Sequence, residues 1–141
     1  KGEFIESIVI PKPTGKEQLI THKISKRYED DISAVCMAIN ITLNEDQPTS
    51  VRIALGGMSG IPQRAHQLEK ALIKHWDQEN LTQQAYEALK KEFSPFNDVR
   101  ASAEYRLKVS ANLVKKSILM IKGENVVDLA EMTQVSSYLE A

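Results

Sequence analysis

The segment at residues 35–43 alternates strictly between two kinds of side chain. Its large apolar residues are Val35, Met37, Ile39, Ile41 and Leu43, and the residues between them are small or polar. Successive side chains of a strand point to opposite faces of the sheet, so this spacing places all five large residues on one face. The pattern predicts a strand with one fully apolar face.

The flanking sequence supplies partners for this strand. Residues 44–49 are typical of a turn, and residues 50–55 return as a strand, which indicates an antiparallel hairpin. Residues 17–26 and 4–10 also resemble strands. Two prolines and a glycine at residues 11–15 separate them and exclude both a helix and a central strand there.

The period of the apolar residues changes after residue 61, from two to three or four, which is typical of amphipathic helices. We expect helices at residues 62–73, beginning with Pro62 in the first turn, at 81–93 and at 101–121. The inward-facing candidates are Ala65, Leu68, Leu72 and Ile73, then Ala85, Tyr86, Leu89 and Phe93, then Tyr105, Val109, Leu113 and Ile121.

Strands followed by helices predict an α+β fold, a three- or four-stranded antiparallel sheet packed against a three-helix bundle. We assign residues 1–122 to this domain. Residues 123–141 form a C-terminal tail with a short helix at residues 126–132. Because the chain begins without methionine and enters a strand-like segment at once, we interpret it as a fragment of a longer protein.

Composition excludes several classes of function. The chain has 141 residues, and its 18 Lys and Arg against 19 Asp and Glu give a net charge of −1, so we expect no nucleic-acid partner. Cys36 is the only cysteine, and no Cys or His cluster suggests a metal site. No apolar run is long enough to span a membrane, and we expect a cytoplasmic protein without a nucleophile or an acid–base pair of its own.

Opposite charges are concentrated at residues 23–31. Lys23, Lys26 and Arg27 are donors that suit a phosphate or an electron-rich ring, and the acidic residues that follow, Glu29, Asp30 and Asp31, can hold them in place. The alternative is a charged turn that faces only water. Taken alone, the residues leave both interpretations open.

Residues 56–60, Gly-Gly-Met-Ser-Gly, follow a strand and precede a helix. They lack the spacing of a phosphate-binding loop, so we interpret the glycines as a sharp chain reversal that needs positive φ or close backbone packing.

The third helix opens with residues 98–106. Asp98 or Ser102 could cap it, and Arg100, Glu104 or Arg106 could pair with the charged corner or with another subunit. We interpret this segment as structural.

The segments at residues 23–32, 52–58 and 98–106, in this order and spacing, resemble the C-terminal domain of the FAD-binding subunit of molybdenum hydroxylases, most closely of xanthine dehydrogenases. The resemblance covers residues 3–122. It implies that Lys23, Ile24 and Ser25 approach the FAD and that Ile24 packs against the flavin. It also places Asn44 in a hairpin loop over the flavin that can admit or block NAD. Animal enzymes carry a lysine that contacts FAD at this position, which weakens a charge-based role for Asn44. For Glu45 and Asp46 an ordinary hairpin turn remains equally open.

The resemblance implies a role in purine oxidation. Electrons would pass from a molybdenum cofactor in a large partner subunit, through two-iron two-sulfur clusters, to FAD and then to NAD. The remaining FAD-binding residues and the iron–sulfur domains would lie elsewhere in the same protein, so the fragment alone should be inactive. The alternatives are the flavin subunit of another molybdenum hydroxylase, acting on carbon monoxide, nicotinate or an aromatic substrate, and a non-catalytic assembly domain.

Overall fold

The computed structural model describes residues 2–27 and 30–124. Four antiparallel strands lie side by side in chain order, and three helices follow them. The strands are β1 (Glu17–Ile24), β2 (Val35–Asn44), β3 (Gln47–Gly56) and β4 (Gln63–Arg64). The helices are α1 (His66–His75), α2 (Leu81–Glu92) and α3 (Ala103–Ile121). The predicted α+β class is confirmed.

The alternating segment forms β2, the central partner of β1 and β3. Val35, Met37, Ile39 and Ile41 are fully buried under the helices, as their spacing predicts. Leu43 is only partly buried, because the register shifts between Thr42 and Leu43. The helices cover one face of the sheet. The other, which we call the open face, exposes small and polar side chains such as Cys36 and Ala54.

The hairpin between β2 and β3 is tighter than predicted. Asn44 pairs with Gln47, so the turn consists of Glu45 and Asp46, and Glu45 has a φ of +54°. The prediction of a turn through residue 49 is therefore wrong, because β3 already begins at Gln47. Pro48 lies inside β3 opposite Leu43, directly after the register shift, which is the kind of irregularity that accommodates a strand proline.

The first helix starts later than predicted. Pro62 does not occupy its first turn but precedes the two-residue strand β4, and α1 begins at His66. The buried carboxylate of Glu69 explains this arrangement. It accepts hydrogen bonds from the backbone N–H of Ile53 at 2.8 Å and from Arg64 Nη2 at 2.7 Å. These bonds fix α1 to the edge of the sheet and leave Ile73 47% exposed, contrary to expectation.

The second helix matches its prediction and ends before Phe93, whereas α3 is rotated from its predicted orientation. Leu113 is buried and Val109 and Ile121 are partly buried, but Tyr105 is 46% exposed. The face of α3 that packs on the sheet carries polar residues: Arg106, Ser110 and Ser117. Periodicity assigns such residues to solvent, which explains the error for Tyr105.

The N-terminal prediction is also wrong, because residues 4–10 form no strand in the described chain and their apolar side chains are exposed. The predicted helix at residues 126–132 lies outside the described residues. No described helix has the length and apolar character needed to cross a bilayer.

Candidate functional site

The chain leaves β1 after Ile24 and returns to the sheet at Val35, the start of β2. The backbone N–H of Ala34 donates to the carbonyl of Ile24 at 2.7 Å, which closes the loop at its base. Inside it, Ser25 Oγ donates to the carbonyl of Arg27 at 2.7 Å, and Asp31 Oδ2 accepts from the backbone N–H of Arg27 at 3.1 Å. We call the segment from Lys23 to Asp31 the corner.

Asp31 holds the corner as the charge pattern predicts. The hydrogen bond from the backbone of Arg27 lowers the pKa of Asp31 below its ordinary value, and the Arg27 guanidinium, 3.5 Å away, adds to the effect. Lys26 is held differently. Its Nζ donates to the carbonyl of Val99 at 2.6 Å, so it fastens the corner to the loop before α3. Glu29 lies outside the described residues.

Arg106 joins the segments at residues 52–58 and 98–106 to Ala34, at the base of the loop that contains the corner. Its Nη1 donates to the carbonyl of Ala34 and, at 2.9 Å, to the carbonyl of Gly57, and its Nη2 donates to Asp98 Oδ1 at 2.7 Å. Only 3% of the arginine side chain is exposed. A guanidinium has several donors in a fixed plane, so one residue can hold three pieces of chain together. The structural interpretation of Arg106 is confirmed.

Gly57 permits this close assembly. Its φ is +83°, and a Cβ atom at this position would overlap the carbonyl oxygen of Ala34 and lie 2.9 Å from Arg106 Nη1. The interpretation of the glycines as a tight chain reversal is therefore confirmed at Gly57.

The start of α3 is capped from within. Ser102 Oγ accepts from the backbone N–H of Tyr105 at 3.2 Å, as one of the predicted caps. Asp98 instead shapes the preceding loop, because its Oδ1 accepts from the backbone N–H groups of Arg100 at 2.8 Å and Ala101 at 3.1 Å. The backbone bonds from Ala101 and Arg100 lower the pKa of Asp98. Glu104 pairs with Lys108 at 2.6 Å on the same helix rather than with the corner.

A surface cavity of about 330 Å³ lies between the corner and the start of α3. It is lined by Ile24, Ser25, Lys26, Ala34, Arg100, Ala101, Ser102 and Tyr105. We call it the corner cavity. Its wall combines apolar groups, one aromatic ring and two cations, and includes no carboxylate. Ile24 and Ser25, which the resemblance assigns to the flavin, line this cavity, and so does Tyr105, which the sequence assigned to the interior.

The predicted site residues lie in three different places. Ile24 and Ser25 line the corner cavity. Lys23 is exposed on the open face of the sheet, paired in register with Cys36, because neighbouring strand residues point to opposite faces. Asn44 lies at the far end of β2, and at about 3.3 Å per residue the nine steps from Val35 place it about 30 Å from the corner.

That far end is held by surface contacts. Gln47 Nε2 donates to Asp77 Oδ2 at 2.8 Å, and Lys122 Nζ donates to Asp77 Oδ1 at 2.8 Å. The hydrogen bond from Lys122, followed by that from Gln47, lowers the pKa of Asp77. Lys122 also lies over the ring of Trp76, 5.8 Å from its centre. We call Asn44 to Gln47 the hairpin tip.

Comparison with known proteins defines first a fold and then a family. The fold matches chains in solved structures of a reconstituted CO dehydrogenase from Oligotropha carboxidovorans (21% identity, TM-score 0.66) and of quinoline 2-oxidoreductase from Pseudomonas putida 86 (22% identity, TM-score 0.66). It also matches a CO dehydrogenase from Hydrogenophaga pseudoflava, at 21% identity and a TM-score of 0.67. The matches cover 76–79% of this chain and 37–38% of the others.

The CO dehydrogenase flavoprotein C-terminal domain family matches residues 20–121. The chain therefore belongs to this family, the C-terminal domains of the FAD subunits of molybdenum hydroxylases. Its sequence is also 26% identical, over 117 residues, to the glyceraldehyde dehydrogenase medium chain of Sulfolobus acidocaldarius. That match covers 83% of this chain and 41% of the relative, so the chain spans about two fifths of the length of such proteins.

Proposed function

We propose that this domain forms one wall of the flavin site in a xanthine dehydrogenase, and that the corner cavity is the part of the wall that borders the flavin. One observation carries the proposal: the corner, with Ile24 and Ser25, meets the start of α3 in a single cavity that no carboxylate lines. The resemblance of the same two segments to cofactor-binding subunits agrees with this location.

The cavity suits the chemistry of a flavin. Ile24, Ala34 and Ala101 present apolar groups that would exclude water from one side of a ring, and the exposed ring of Tyr105 offers a planar surface. Lys26 and Arg100 place positive charge beside it, which favours a ring system that gains negative charge on reduction. When bound, FAD would supply the transfer of electrons to a nicotinamide nucleotide.

The domain's own contribution is thus positioning and electrostatics. Hydrogen bonds hold the corner from both sides, because Lys26 is fixed to Val99 and Arg106 to the carbonyl of Ala34. The side chains facing the flavin would therefore need little reorganisation when it binds or is reduced. Lys23, on the open face, would approach the cofactor only around the end of β1.

Asn44 would contact a different part of the assembly. A flavin ring system consists of three fused six-membered rings and cannot extend over the roughly 30 Å between the corner and the hairpin tip. The proposal therefore assigns Lys23, Ile24 and Ser25 to the flavin and Asn44 to the entrance of the second nucleotide.

The complete enzyme would contain further parts. We propose that the same polypeptide supplies the remaining FAD-binding and iron–sulfur domains, and that a large partner subunit binds the molybdenum cofactor. Electrons from purine oxidation would reach FAD through the iron–sulfur clusters and leave to NAD in the cytoplasm.

A second candidate is an aldehyde-oxidising enzyme of the same class. Its support is the 26% identity to the glyceraldehyde dehydrogenase medium chain over most of this domain. In both candidates the substrate binds in another subunit, so the corner would have the same role and only the electron donor would differ.

The test is to purify the complete protein with its partner subunit. The flavin content is measured by absorbance, and the reduction of NAD and of an artificial acceptor is assayed with xanthine and with glyceraldehyde. Xanthine-dependent reduction of NAD is the expected result. Turnover of glyceraldehyde alone would support the second candidate, and a complete protein without bound flavin would contradict both and favour an assembly domain.

A further inference from the structure

The segment at residues 4–10 has the pattern of a strand but is exposed in the described chain. Five of its side chains are large and apolar, with exposures of 76–88%. They are Phe4, Ile5, Ile8, Val9 and Ile10. Scattered exposed apolar residues are ordinary, whereas five within seven positions indicate a surface that a partner covers.

The pattern also describes the partner. In an extended chain Phe4, Ile8 and Ile10 point to one side, together with Glu6, while Ile5 and Val9 point to the other side. Both sides are mainly apolar, and a strand of that kind is typical of a sheet covered on both faces. The segment is rich in β-branched residues, which favours a strand over a helix.

The sheet of this domain does not meet that requirement. Among the described residues, β1 has a free edge, and so does most of β3, which pairs with β4 only at Ala54 and Leu55. The helices cover only one face of the sheet, so a segment paired at either edge would have one side on the open face. If the segment paired with β1, either its Phe4 side or its Val9 side would lie on the open face, in the same row as Leu19, which is 66% exposed. A second copy of this domain would offer the same half-covered sheet.

The family boundary agrees with a partner outside this domain. The family match begins at residue 20, so residues 4–10 precede it. Two prolines and Gly15, with a φ of +87°, separate the segment from β1 and prevent one continuous strand. The matched relatives contain much more chain than this domain, since the match covers 41% of the glyceraldehyde dehydrogenase medium chain.

We infer that residues 4–10 form a strand in the sheet of another domain of the same polypeptide, a sheet covered on both faces, and that the boundary between the two domains lies at residues 11–15. The inference rests on the proposed function in requiring a longer flavoprotein. The segment then ties this domain covalently and through backbone hydrogen bonds to its neighbour, and the short connection limits how far the corner can move from that neighbour.

Hydrogen exchange tests the inference on the complete protein and on the 141-residue chain. In the complete protein the amides of residues 5–10 should exchange at least about 100-fold more slowly than in the 141-residue chain. Equal exchange in the two proteins would overturn the inference. Protection that appears in the 141-residue chain as its concentration rises would also overturn it, because a second copy would then be the partner.

Paired variants test whether both faces are covered. Ile8→Lys and Val9→Lys place a charge on opposite sides of the segment, and each should raise the unfolding equilibrium constant of the complete protein by on the order of 100-fold while leaving the 141-residue chain unchanged. Ile73→Lys, on the exposed side of α1, is the matched control. An effect from only one of the pair would contradict a doubly covered sheet. Flavin content is measured on the same samples. A complete protein without bound flavin would contradict the proposed function but would not affect the conclusion about residues 4–10.

Discussion

The two ends of the sheet are fastened to the helices in different ways. Beside the corner, the buried Arg106 holds the backbone carbonyls of Ala34 and Gly57 and the carboxylate of Asp98. At the hairpin tip, the carboxylate of Asp77, with 57% of its side chain exposed, holds Gln47 and Lys122. Both ends use charged hydrogen bonds, but the side chain of Arg106 is only 3% exposed, whereas the bonds of Asp77, and those of Lys26 and Arg27 within the corner, are exposed.

This difference explains why the corner is the better candidate for a cofactor wall. Polar bonds shielded from water resist rearrangement, because breaking them leaves buried groups without partners. Bonds at the surface exchange readily with water and hold a loop less firmly. A firmly held start of α3 beside the corner would suit the proposed flavin wall, whereas a hairpin tip held at the surface would suit the proposed entrance of the second nucleotide.

Replacing Arg106 should have the largest effect. Arg106→Met leaves the carbonyls of Ala34 and Gly57 without their donor, which should lower the free energy of unfolding by about 2–5 kcal/mol. Urea denaturation measures this change. The matched control is Arg52→Met, at an exposed position on the open face, which should change stability by less than about 0.5 kcal/mol. Similar losses in both variants would remove the contrast between buried and exposed arginines.

The chain reversal beside Arg106 should be the next most sensitive position. Gly57→Ala adds a methyl group that overlaps the carbonyl of Ala34 at a residue with positive φ, and the expected loss is about 1–3 kcal/mol. Gly60→Ala is the control, because its added methyl group meets no atom within 4 Å. Equal urea midpoints for the two variants would show that the fold does not depend on the absence of a side chain at Gly57.

The hairpin tip should tolerate the loss of its fastening. Asp77→Ala removes the acceptor of Gln47 and Lys122, yet the urea midpoint should fall less than in Gly57→Ala, because water replaces exposed hydrogen bonds. Hydrogen exchange at the amides of Glu45 and Asp46 should nevertheless become faster. A midpoint shift as large as that of Arg106→Met would show that the two ends are equally important for stability.

Acid should weaken the corner through more groups than the hairpin tip. Hydrogen bonds lower the pKa of Asp31 in the corner, of Asp98 in the loop beside it, and of Asp77, which contacts the hairpin tip. A carboxyl whose pKa is lower in the folded state stabilises the fold above its unfolded pKa of about 3.9, and this contribution is lost as the pH falls through the folded value. The urea midpoint should therefore fall as the pH is lowered from 5 to 2. Asp98→Asn should reduce that dependence, and an unchanged slope would contradict the role of Asp98.

The spacing of the apolar residues along the sequence predicted most of the fold, because burial of an apolar face dominates the free energy of folding. It located β2, the burial of Ile39 and all three helices. It failed where polar residues are buried. Arg106 packs on the sheet side of α3, where two of its three acceptors, the carbonyls of Ala34 and Gly57, come from parts of the chain distant in sequence, and no local pattern contains that information. Because the buried face of α3 carries polar residues, the apolar spacing wrongly placed Tyr105 in the interior.

The site was predictable in part for a related reason. The charged segment identified the corner, and Asp31 holds Arg27 as its charge suggests. The sequence suggested Arg100, Glu104 or Arg106 as a link between the start of α3 and the corner, but it could not show that the link is a hydrogen bond from Lys26 to the carbonyl of Val99. The predicted strand at residues 35–43 places Asn44 at its far end, but the distance from Asn44 to the corner also required the register that pairs Ile24 with Val35.

A single charge placed at each end of the sheet tests the central claim, that the corner borders the flavin. The test uses the complete proposed enzyme with its partner subunit. The measurement is the ratio of two activities: substrate-dependent reduction of NAD, and reduction of an artificial acceptor that would draw electrons from the proposed iron–sulfur clusters. Ile24→Asp and Ser25→Asp alter the corner, and the latter does not disturb the core against which Ile24 packs. Asn44→Asp is the matched change at the hairpin tip.

The account predicts that both corner variants lower this ratio at least about tenfold and bind FAD more weakly, because a carboxylate beside the ring disfavours negative charge on the reduced flavin. Asn44→Asp should bind FAD as tightly as the unaltered enzyme. The account is contradicted if both activities fall together in the corner variants, if neither changes, or if Asn44→Asp is the variant that loses the flavin.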